Sequence, residues 1–186
     1  MKIYVGTYHK YNMGSSEGEW IDLNSLEFIF PTVHNIHGGK DFEKIFYNIC
    51  HRIHSDEGSN PEFMFQDWEG IPKGLISESE IDSRLFDILD LDLNEEEQQS
   101  FIDYMSNQNF HWDDIEEAYE SYQDNYRGNY FNLQEFTDEL FDERVLPEMP
   151  EHIWNLICGN EVYEAYYHNV KHDYYILDNG DVFLNC

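Results

Sequence analysis

The 186-residue chain is expected to adopt an α+β fold. Segments with the alternating pattern of β-strands occur towards both ends, whereas from Ser77 the apolar residues recur with a period of about 3.6. Hydrophobic residues make up 41% of the sequence and aromatic residues 17%, which is sufficient for a buried core. Because no internal repeat or low-complexity linker separates these segments, we expect them to pack in series along one elongated body.

The N-terminal segments predict a small sheet and one helix. Residues 2–8 and 19–23 are apolar or alternating and flank a turn-rich stretch, which predicts a β-hairpin. Residues 26–33 are a further candidate strand. Apolar side chains at helical spacing predict an amphipathic helix over 41–54, and residues 62–68 are predicted to form another strand.

The middle of the chain contains two signals for the start of a helix. In a capping box, the N-cap side chain and a Glu three residues later bond to each other's backbone N–H groups. Ser77 with Glu80 predicts a helix over 77–89, and Asn94, also followed by Glu after three residues, predicts a helix over 94–105.

Short helices and a terminal hairpin are predicted for the rest of the chain. Asn132 is a candidate N-cap, and Pro147 ends the helix that it begins. Asn179-Gly180 between two apolar runs is a strong hairpin signal. The predicted elements are helices over 112–126, 133–145, 151–157 and 160–168, and strands over 174–177 and 182–184.

The sequence is strongly acidic. It has 39 Asp and Glu residues against 10 Lys and Arg, for a formal net charge of −29. Residues 55–145 hold 26 of these acids and only four basic residues, for a net charge of −22. This charge repels phosphate and no basic run offsets it, so we expect no direct binding to nucleic acid or anionic lipid. Basic surfaces or metal ions are the expected partners.

Six acids cluster on the helix predicted over 112–126. They surround the face opposite an apolar stripe, and none has a lysine four residues further on. Because like charges at this spacing cost a few tenths of a kcal/mol per pair, something other than folding favours them. One interpretation is a solvated face that aids solubility. The other is a distribution of charge that resembles DNA, because the net charge of −22 over 55–145 equals the phosphate charge of about 37 Å of duplex. The six acids are Asp113, Asp114, Glu116, Glu117, Glu120 and Asp124.

Cysteine usage and hydropathy indicate the compartment. Three cysteines without a CxxC pair do not make a disulfide framework, and a reducing cytoplasm fits them. The N-terminus lacks the pattern of a signal peptide, and no window approaches the roughly 18 apolar residues of a membrane span. A cytoplasmic protein is therefore expected, neither exported nor inserted in a membrane.

The motifs for metal binding and catalysis are incomplete. Asp90, Asp92 and Asn94 have calcium-loop spacing, but Glu95 and Phe101 occupy the positions that need Gly and Glu. The motifs GxSxG and GxxxxGK[ST] are missing, and the many carboxylate pairs do not single out a catalytic one. We expect no catalytic residue and no cofactor.

The histidine pairs are also expected to have no metal-binding role. His34 with His37 and His51 with His54 have i, i+3 spacing, but no HExxH motif or nearby Cys pair accompanies them. Ordinary surface or half-buried histidines are therefore expected, and no metal site.

Several aromatic residues follow the acidic block at helical spacing. Without a basic groove beside them, they do not form a base-stacking platform for single-stranded nucleic acid. We expect them in the core or in a dimer interface. They are Tyr119, Tyr122, Tyr126, Tyr130 and Phe131.

Three segments of the sequence resemble a known family. Residues 3–23 read IYVGTYHKYNMGSSEGEWIDL, residues 61–81 read PEFMFQDWEGIPKGLISESEI, and the acidic-aromatic block DDIEEAYESYQDNYRGNY fills 113–130. They resemble the ArdA antirestriction proteins of bacterial plasmids and conjugative transposons. The resemblance covers most of the chain and returns at the C-terminal hairpin, but the sequence departs from the family between about 24 and 40.

The resemblance implies a function and an architecture. ArdA proteins are homodimeric DNA mimics rather than enzymes, and they occupy the DNA groove of type I restriction-modification enzymes. Three serial domains are implied: an α+β unit over 1–75, a helical middle over 76–109 and an α+β unit over 110–186. Besides the six acids above, the residues that match the family's acidic segments are Asp67, Glu69, Glu78, Glu80, Asp138, Glu139, Asp142 and Glu143.

One alternative function stays open at this point. A strongly acidic domain could instead be a binding module for a basic DNA-binding protein or for a divalent metal ion. Competition with duplex DNA would separate a DNA mimic from either module.

Overall fold

The protein has the predicted α+β architecture, with helices and two three-stranded antiparallel sheets. The chain divides into two compact units, Met1–Ile115 and Glu116–Cys186. The implied division into three serial domains stays a prediction, and the candidate strand over 26–33 falls almost wholly outside the described residues. The structure, a computed structural model, describes residues 1–26, 41–72, 74–91, 93–154 and 160–185.

The first unit contains a sheet with the strand order β2-β1-β3. The strands are β1 (Lys2–Thr7), β2 (Glu19–Asp22) and β3 (Phe63–Glu69). They confirm the predicted hairpin and the strand that follows it. A short helix, α1 (Tyr8–Asn12), occupies the connection where only turns were expected, and the Thr7 hydroxyl oxygen accepts a hydrogen bond from the Lys10 backbone N–H at its start.

The helix α2 (Phe42–Ile53) supplies much of the first core and confirms the helix predicted over 41–54. The Asp41 carboxylate accepts a hydrogen bond from the Lys44 backbone N–H and caps the helix. The Phe46 ring packs against Phe65 of β3, with centroids 6.1 Å apart, and α2 is thereby fixed to the sheet. Burial raises the pKa of the Cys50 thiol on the same face to about 12.

The helix predicted to start at Ser77 starts later, so that prediction is wrong. Ser77 Oγ does accept a hydrogen bond from the Glu80 N–H, but the Ser77 N–H also donates to the Glu80 carbonyl and Ile76 pairs with Ile81. These bonds close a turn, because the chain reverses instead of continuing as a helix. The helix α3 (Arg84–Asp90) begins only after this turn.

The next helix, α4 (Glu95–Asn107), confirms the second signal in the middle of the chain. Asn94 is its N-cap, and the side-chain oxygen accepts a hydrogen bond from the Glu97 N–H at 2.9 Å. Phe101, Ile102 and Met105 are buried on its inner face. The N-cap residue and the spacing of the apolar residues both indicate a helix in this segment, so the sequence alone was sufficient to predict it.

The helix predicted over 112–126 is shorter at both ends, and α5 spans Ile115–Asn125. Arg84 Nη1 donates to the backbone carbonyls of Phe110 at 2.8 Å and of Trp112 at 3.0 Å. The Trp112 carbonyl therefore accepts a hydrogen bond from the Arg84 guanidinium of α3. In a helix that began at Trp112, this carbonyl would instead accept a hydrogen bond from a backbone N–H of the same helix. Asp113 and Asp114 therefore precede α5 and do not lie on its face.

The second unit contains a sheet with the strand order β4-β6-β5. The strands β5 (Tyr174–Ile176) and β6 (Asp181–Leu184) confirm the terminal hairpin. The strand β4 (Tyr126–Asn129) was not predicted, because four residues are too few to show alternation and Gly128 has a φ of 118°. Long-range pairing with β6 creates it.

Three helices complete the second unit: α6 (Leu133–Arg144), α7 (Glu151–Trp154) and α8 (Asn160–Val170). The first confirms the helix predicted from Asn132, whose side chain accepts a hydrogen bond from the Glu135 N–H at 2.9 Å. The rest of the helix predicted over 151–157 lies outside the described residues. No helix in the described ranges is both long and apolar enough to cross a bilayer.

The second core forms around Phe183 of β6, which is fully buried. Its ring packs against Tyr122 of α5 at 5.6 Å, Tyr126 of β4 at 5.5 Å and Tyr175 of β5 at 5.6 Å. The core placement predicted for Tyr122 is confirmed. Phe131 is 90% exposed, so a core position is wrong for it, and its place in a dimer interface stays a prediction.

Candidate acidic interaction surfaces

Six of the acids predicted to bind a partner belong to the first unit and all are exposed. Asp67 and Glu69 are two positions apart in β3 and so lie on the same face of the strand, and Glu69 lies opposite Lys2 in the strand register. The others lie in connections rather than in helices: Glu78 and Glu80 in the turn before α3, and Asp113 and Asp114 before α5.

The helix α5 carries the next four acids. Its buried residues, Ile115, Ala118 and Tyr122, are three and four positions apart and define one inner face. Tyr119, Ser121 and Asn125 flank this face and are half-buried, and the other positions of the helix are open to solvent. The four acids, all exposed, are Glu116, Glu117, Glu120 and Asp124.

The helix α6 carries acids beside two tyrosines. Burial raises the pKa of Tyr130, and the charges of Glu139, Glu143 and Glu135 raise it further. Glu135 was not among the predicted acids; it lies three residues after Asn132, and its backbone N–H donates to the Asn132 side chain. Its carboxylate also accepts a hydrogen bond from the Phe131 N–H at 2.8 Å. Three carboxylates at i, i+4 and i+8 therefore form one row along α6.

A second row on α6 consists of Asp138 and Asp142. The Tyr163 hydroxyl donates to Asp142 Oδ1 at 2.7 Å, and this hydrogen bond raises the pKa of Tyr163. Asp138 is half-buried and accepts a hydrogen bond from the Gln134 side chain at 2.6 Å. The hydrogen bonds fix the direction of both carboxylates without neutralising them.

Three basic side chains near the predicted acids form their ion pairs or hydrogen bonds with other groups. Lys10 and Arg84 pair with carboxylates that are not among the predicted fourteen, namely those of Asp56 and Asp82. Arg127 Nη1 donates to the backbone carbonyls of Asp124 and Tyr126, both at 2.8 Å. Its charge therefore lies at the C-terminal end of α5, where a cation is favourable.

A further group of acids in the first unit escaped the sequence analysis. Asp87 of α3 lies among the charges of Asp90, Glu43, Asp82 and Asp114. Burial raises the pKa of Asp87, and these four charges add to the effect. The group comes from three separate segments of the chain, so no sequence spacing could have indicated it.

Replacing one member of this group should stabilise the protein. The raised pKa means that the folded state binds the Asp87 proton more tightly than the unfolded state, so ionisation at pH 7 costs stability. We expect Asp87→Asn to raise the free energy of unfolding at pH 7 by only about 0.5 kcal/mol, because the carboxylate is covered on one side but much of the residue is open to solvent, which screens the repulsion. In urea titrations, the gain should shrink as the pH falls towards about 4. Glu164→Gln, an exposed change in the second unit, is the control, and a loss of stability in Asp87→Asn would contradict the prediction.

The two histidines of α2 and its C-cap differ in environment. His51 is exposed, as predicted, whereas His54 is only 1% exposed and is neither a surface nor a half-buried histidine. The pair His34 and His37 lies outside the described residues, as does Asp92 of the rejected calcium loop.

Comparison with known proteins supplies one match. A family model described as "Antirestriction protein (ArdA)" matches residues 3–182. No curated protein matches the chain. The matched range includes all fourteen predicted acids. The departure from the family expected between about 24 and 40 stays a prediction.

Proposed function

Because the chain belongs to the ArdA family of antirestriction proteins, we propose that it inhibits type I restriction-modification enzymes as a mimic of DNA. Family membership itself implies an antirestriction function. The members of the family are inhibitors of restriction enzymes and are not themselves known as enzymes. The mimicry, the type I target and the binding acids belong to the proposal. So do the action in the bacterial cytoplasm and the protection of incoming mobile DNA.

One observation carries the proposal: the density of acids on two helices, all of them exposed except the half-buried Asp138. Along α5, four carboxylates fall between Glu116 and Asp124, a distance of about 12 Å at the helical rise of about 1.5 Å per residue. Along α6, five fall between Glu135 and Glu143, over the same distance. One charge every 3–4 Å is close to the roughly 3.4 Å spacing of phosphates along a DNA strand.

This charge density suits the way in which enzymes hold DNA. Most protein–DNA hydrogen bonds go to the sugar-phosphate backbone, and they position the duplex without reading its sequence. A protein that reproduces only the backbone charge can therefore occupy the groove of enzymes with different recognition sequences. Both the restriction and the modification activities depend on that groove, so both should be inhibited.

A homodimer fits the same mechanism. Two copies would double the net charge of −29. The doubled charge equals that of the phosphates in about 100 Å of duplex. The exposed ring of Phe131, next to the acidic row of α6, is one candidate for the contact between copies.

A competition experiment tests the proposal. Purified protein is titrated against a type I enzyme bound to labelled duplex DNA, at constant magnesium and several salt concentrations. We expect near-stoichiometric displacement at low salt and weaker displacement as salt screens the charges. Polyglutamate of equal total charge is the control and should displace DNA much less, because its carboxylates are not held in rows.

The opposite result would redirect the search. If active enzyme kept its DNA at low salt with the protein in excess, DNA mimicry would be excluded for that enzyme. Another basic DNA-binding protein would then be the partner to look for, by the same displacement assay.

A further inference from the structure

A buried histidine and two carboxylates meet where α2 ends. His54 caps the helix, and Asp56 and Glu57 lie in the short 3-10 helix Ser55–Glu57 that follows. One potential ligand atom from each of the three side chains lies within 4.8 Å of the other two. The side chains of His54 and Glu57 are 1% and 8% exposed and that of Asp56 is 64% exposed, so the group is buried on the histidine side and open to solvent at Asp56.

Hydrogen bonding determines which nitrogen of His54 is available. The Nε2 atom lies 3.1 Å from the carbonyl oxygen of Val5. A carbonyl only accepts, so Nε2 carries the proton and the Nδ1 atom of the neutral ring has a free lone pair. Nδ1 is buried without a hydrogen-bond partner among the described residues, and it faces Glu57 Oε1 at 4.0 Å, too far for a hydrogen bond.

We propose that His54 Nδ1, Asp56 and Glu57 bind a divalent metal ion of the zinc class. One imidazole nitrogen and two carboxylate oxygens are ligands for such ions, whereas Mg²⁺ and Ca²⁺ prefer oxygen alone. Bonds of about 2.0–2.2 Å place two ligand atoms about 3–4 Å apart, so the group needs only a small contraction. The Val5 carbonyl is the outer partner that orients the ring, as is usual for metal-bound histidine.

The ammonium of Lys10 competes for the same carboxylates. Lys10 Nζ lies 3.2 Å from Asp56 Oδ2, 3.7 Å from Glu57 Oε1 and 3.8 Å from Glu17 Oε2. Its hydrogen bond lowers the pKa of the Asp56 carboxyl. Binding of the metal therefore requires the lysine to swing away on its flexible stem, so Lys10 sets the affinity.

The test uses the purified protein alone and is thus independent of the proposed antirestriction activity. Co²⁺ replaces Zn²⁺ as the spectroscopic probe, and excess Mg²⁺ saturates the many surface carboxylates. We expect one Co²⁺ per chain with the visible absorption of a nitrogen-containing site, displaced by Zn²⁺ in calorimetry. His54→Gln retains a donor for the Val5 carbonyl but lacks Nδ1, and it should weaken binding at least about tenfold.

Matched variants identify the ligands. His51→Gln removes an exposed histidine of the same helix and should bind as the wild type does. Asp56→Asn alters an exposed residue, so the protein should still fold, and it should lose about as much affinity as His54→Gln. The absence of a nitrogen-type spectrum in wild type, or equal losses in His51→Gln and His54→Gln, would overturn the site.

Two further variants test the competition with lysine. Lys10→Met removes the ammonium and should raise the Co²⁺ affinity by about tenfold or more, because a unit charge within a few Å opposes the metal. Glu17→Gln removes a carboxylate that contacts Lys10 but is not a ligand, and it should change the affinity little. An unchanged affinity in Lys10→Met would show that the lysine and the metal do not share the site.

Discussion

Neutralising four acids of α6 together is expected to weaken inhibition of a type I enzyme by about 100-fold. The changes are Asp138→Asn, Glu139→Gln, Asp142→Asn and Glu143→Gln. Each solvent-exposed charge contact contributes about 0.2–1 kcal/mol, so four of them sum to about 1–4 kcal/mol, and 100-fold corresponds to about 2.7 kcal/mol within this range. A single change of the set should cost no more than about fivefold. The measurement is the protein concentration that displaces half of the labelled DNA from the enzyme.

The second unit provides a control with the same change in charge. Four other acids of this unit, Glu161, Glu164, Asp173 and Asp178, are all exposed and lie outside the predicted set. Their amide variants should retain inhibition close to that of wild type. An equal loss in both quadruple variants would show that net charge, rather than the position of the carboxylates, determines inhibition. A single Asp→Asn change that abolished inhibition would also exclude a mechanism of distributed contacts.

Truncating Phe183 is expected to have the largest effect on stability. Its ring is fully buried and contacts residues of α5, β4 and β5, so Phe183→Ala should destabilise the second unit by about 3–5 kcal/mol. The cavity would lie directly under the acidic helix α5. Hydrogen exchange should therefore become faster across Ile115–Asn125 and the sheet of this unit, while α2 in the first unit keeps its protection.

Phe131 is the matched control for this measurement. Its ring is 90% exposed, so at protein concentrations too low for self-association Phe131→Ala should change stability by no more than about 0.5 kcal/mol. Faster exchange in both variants alike would mean that the second unit is not organised around Phe183.

Elements with local signals could be predicted from the sequence. The start of α4 at Asn94 and the apolar spacing of α2 depend on neighbouring residues only, and both are as expected. Non-local contacts explain the errors. The carbonyl of Trp112 binds Arg84, 28 residues earlier, which delays α5, and β4 exists only because β6 pairs with it.

The candidate surfaces follow the same rule. That the fourteen acids would be accessible could be foreseen from the apolar spacing, and only Asp138 is half-buried. Which acids lie together could not. The approach of Asp114 to Asp87 and of Glu57 to His54 Nδ1 depends on turns whose geometry the sequence does not reveal.

The buried thiol of Cys50 makes the first unit chemically inert at that position. With a pKa of about 12, it is almost entirely protonated at neutral pH, and oxidants and alkylating reagents attack the thiolate form. The side chain is fully covered, so reagents meet it only in molecules in which α2 has separated from the sheet. Cys50 is therefore a built-in reporter of opening in this unit.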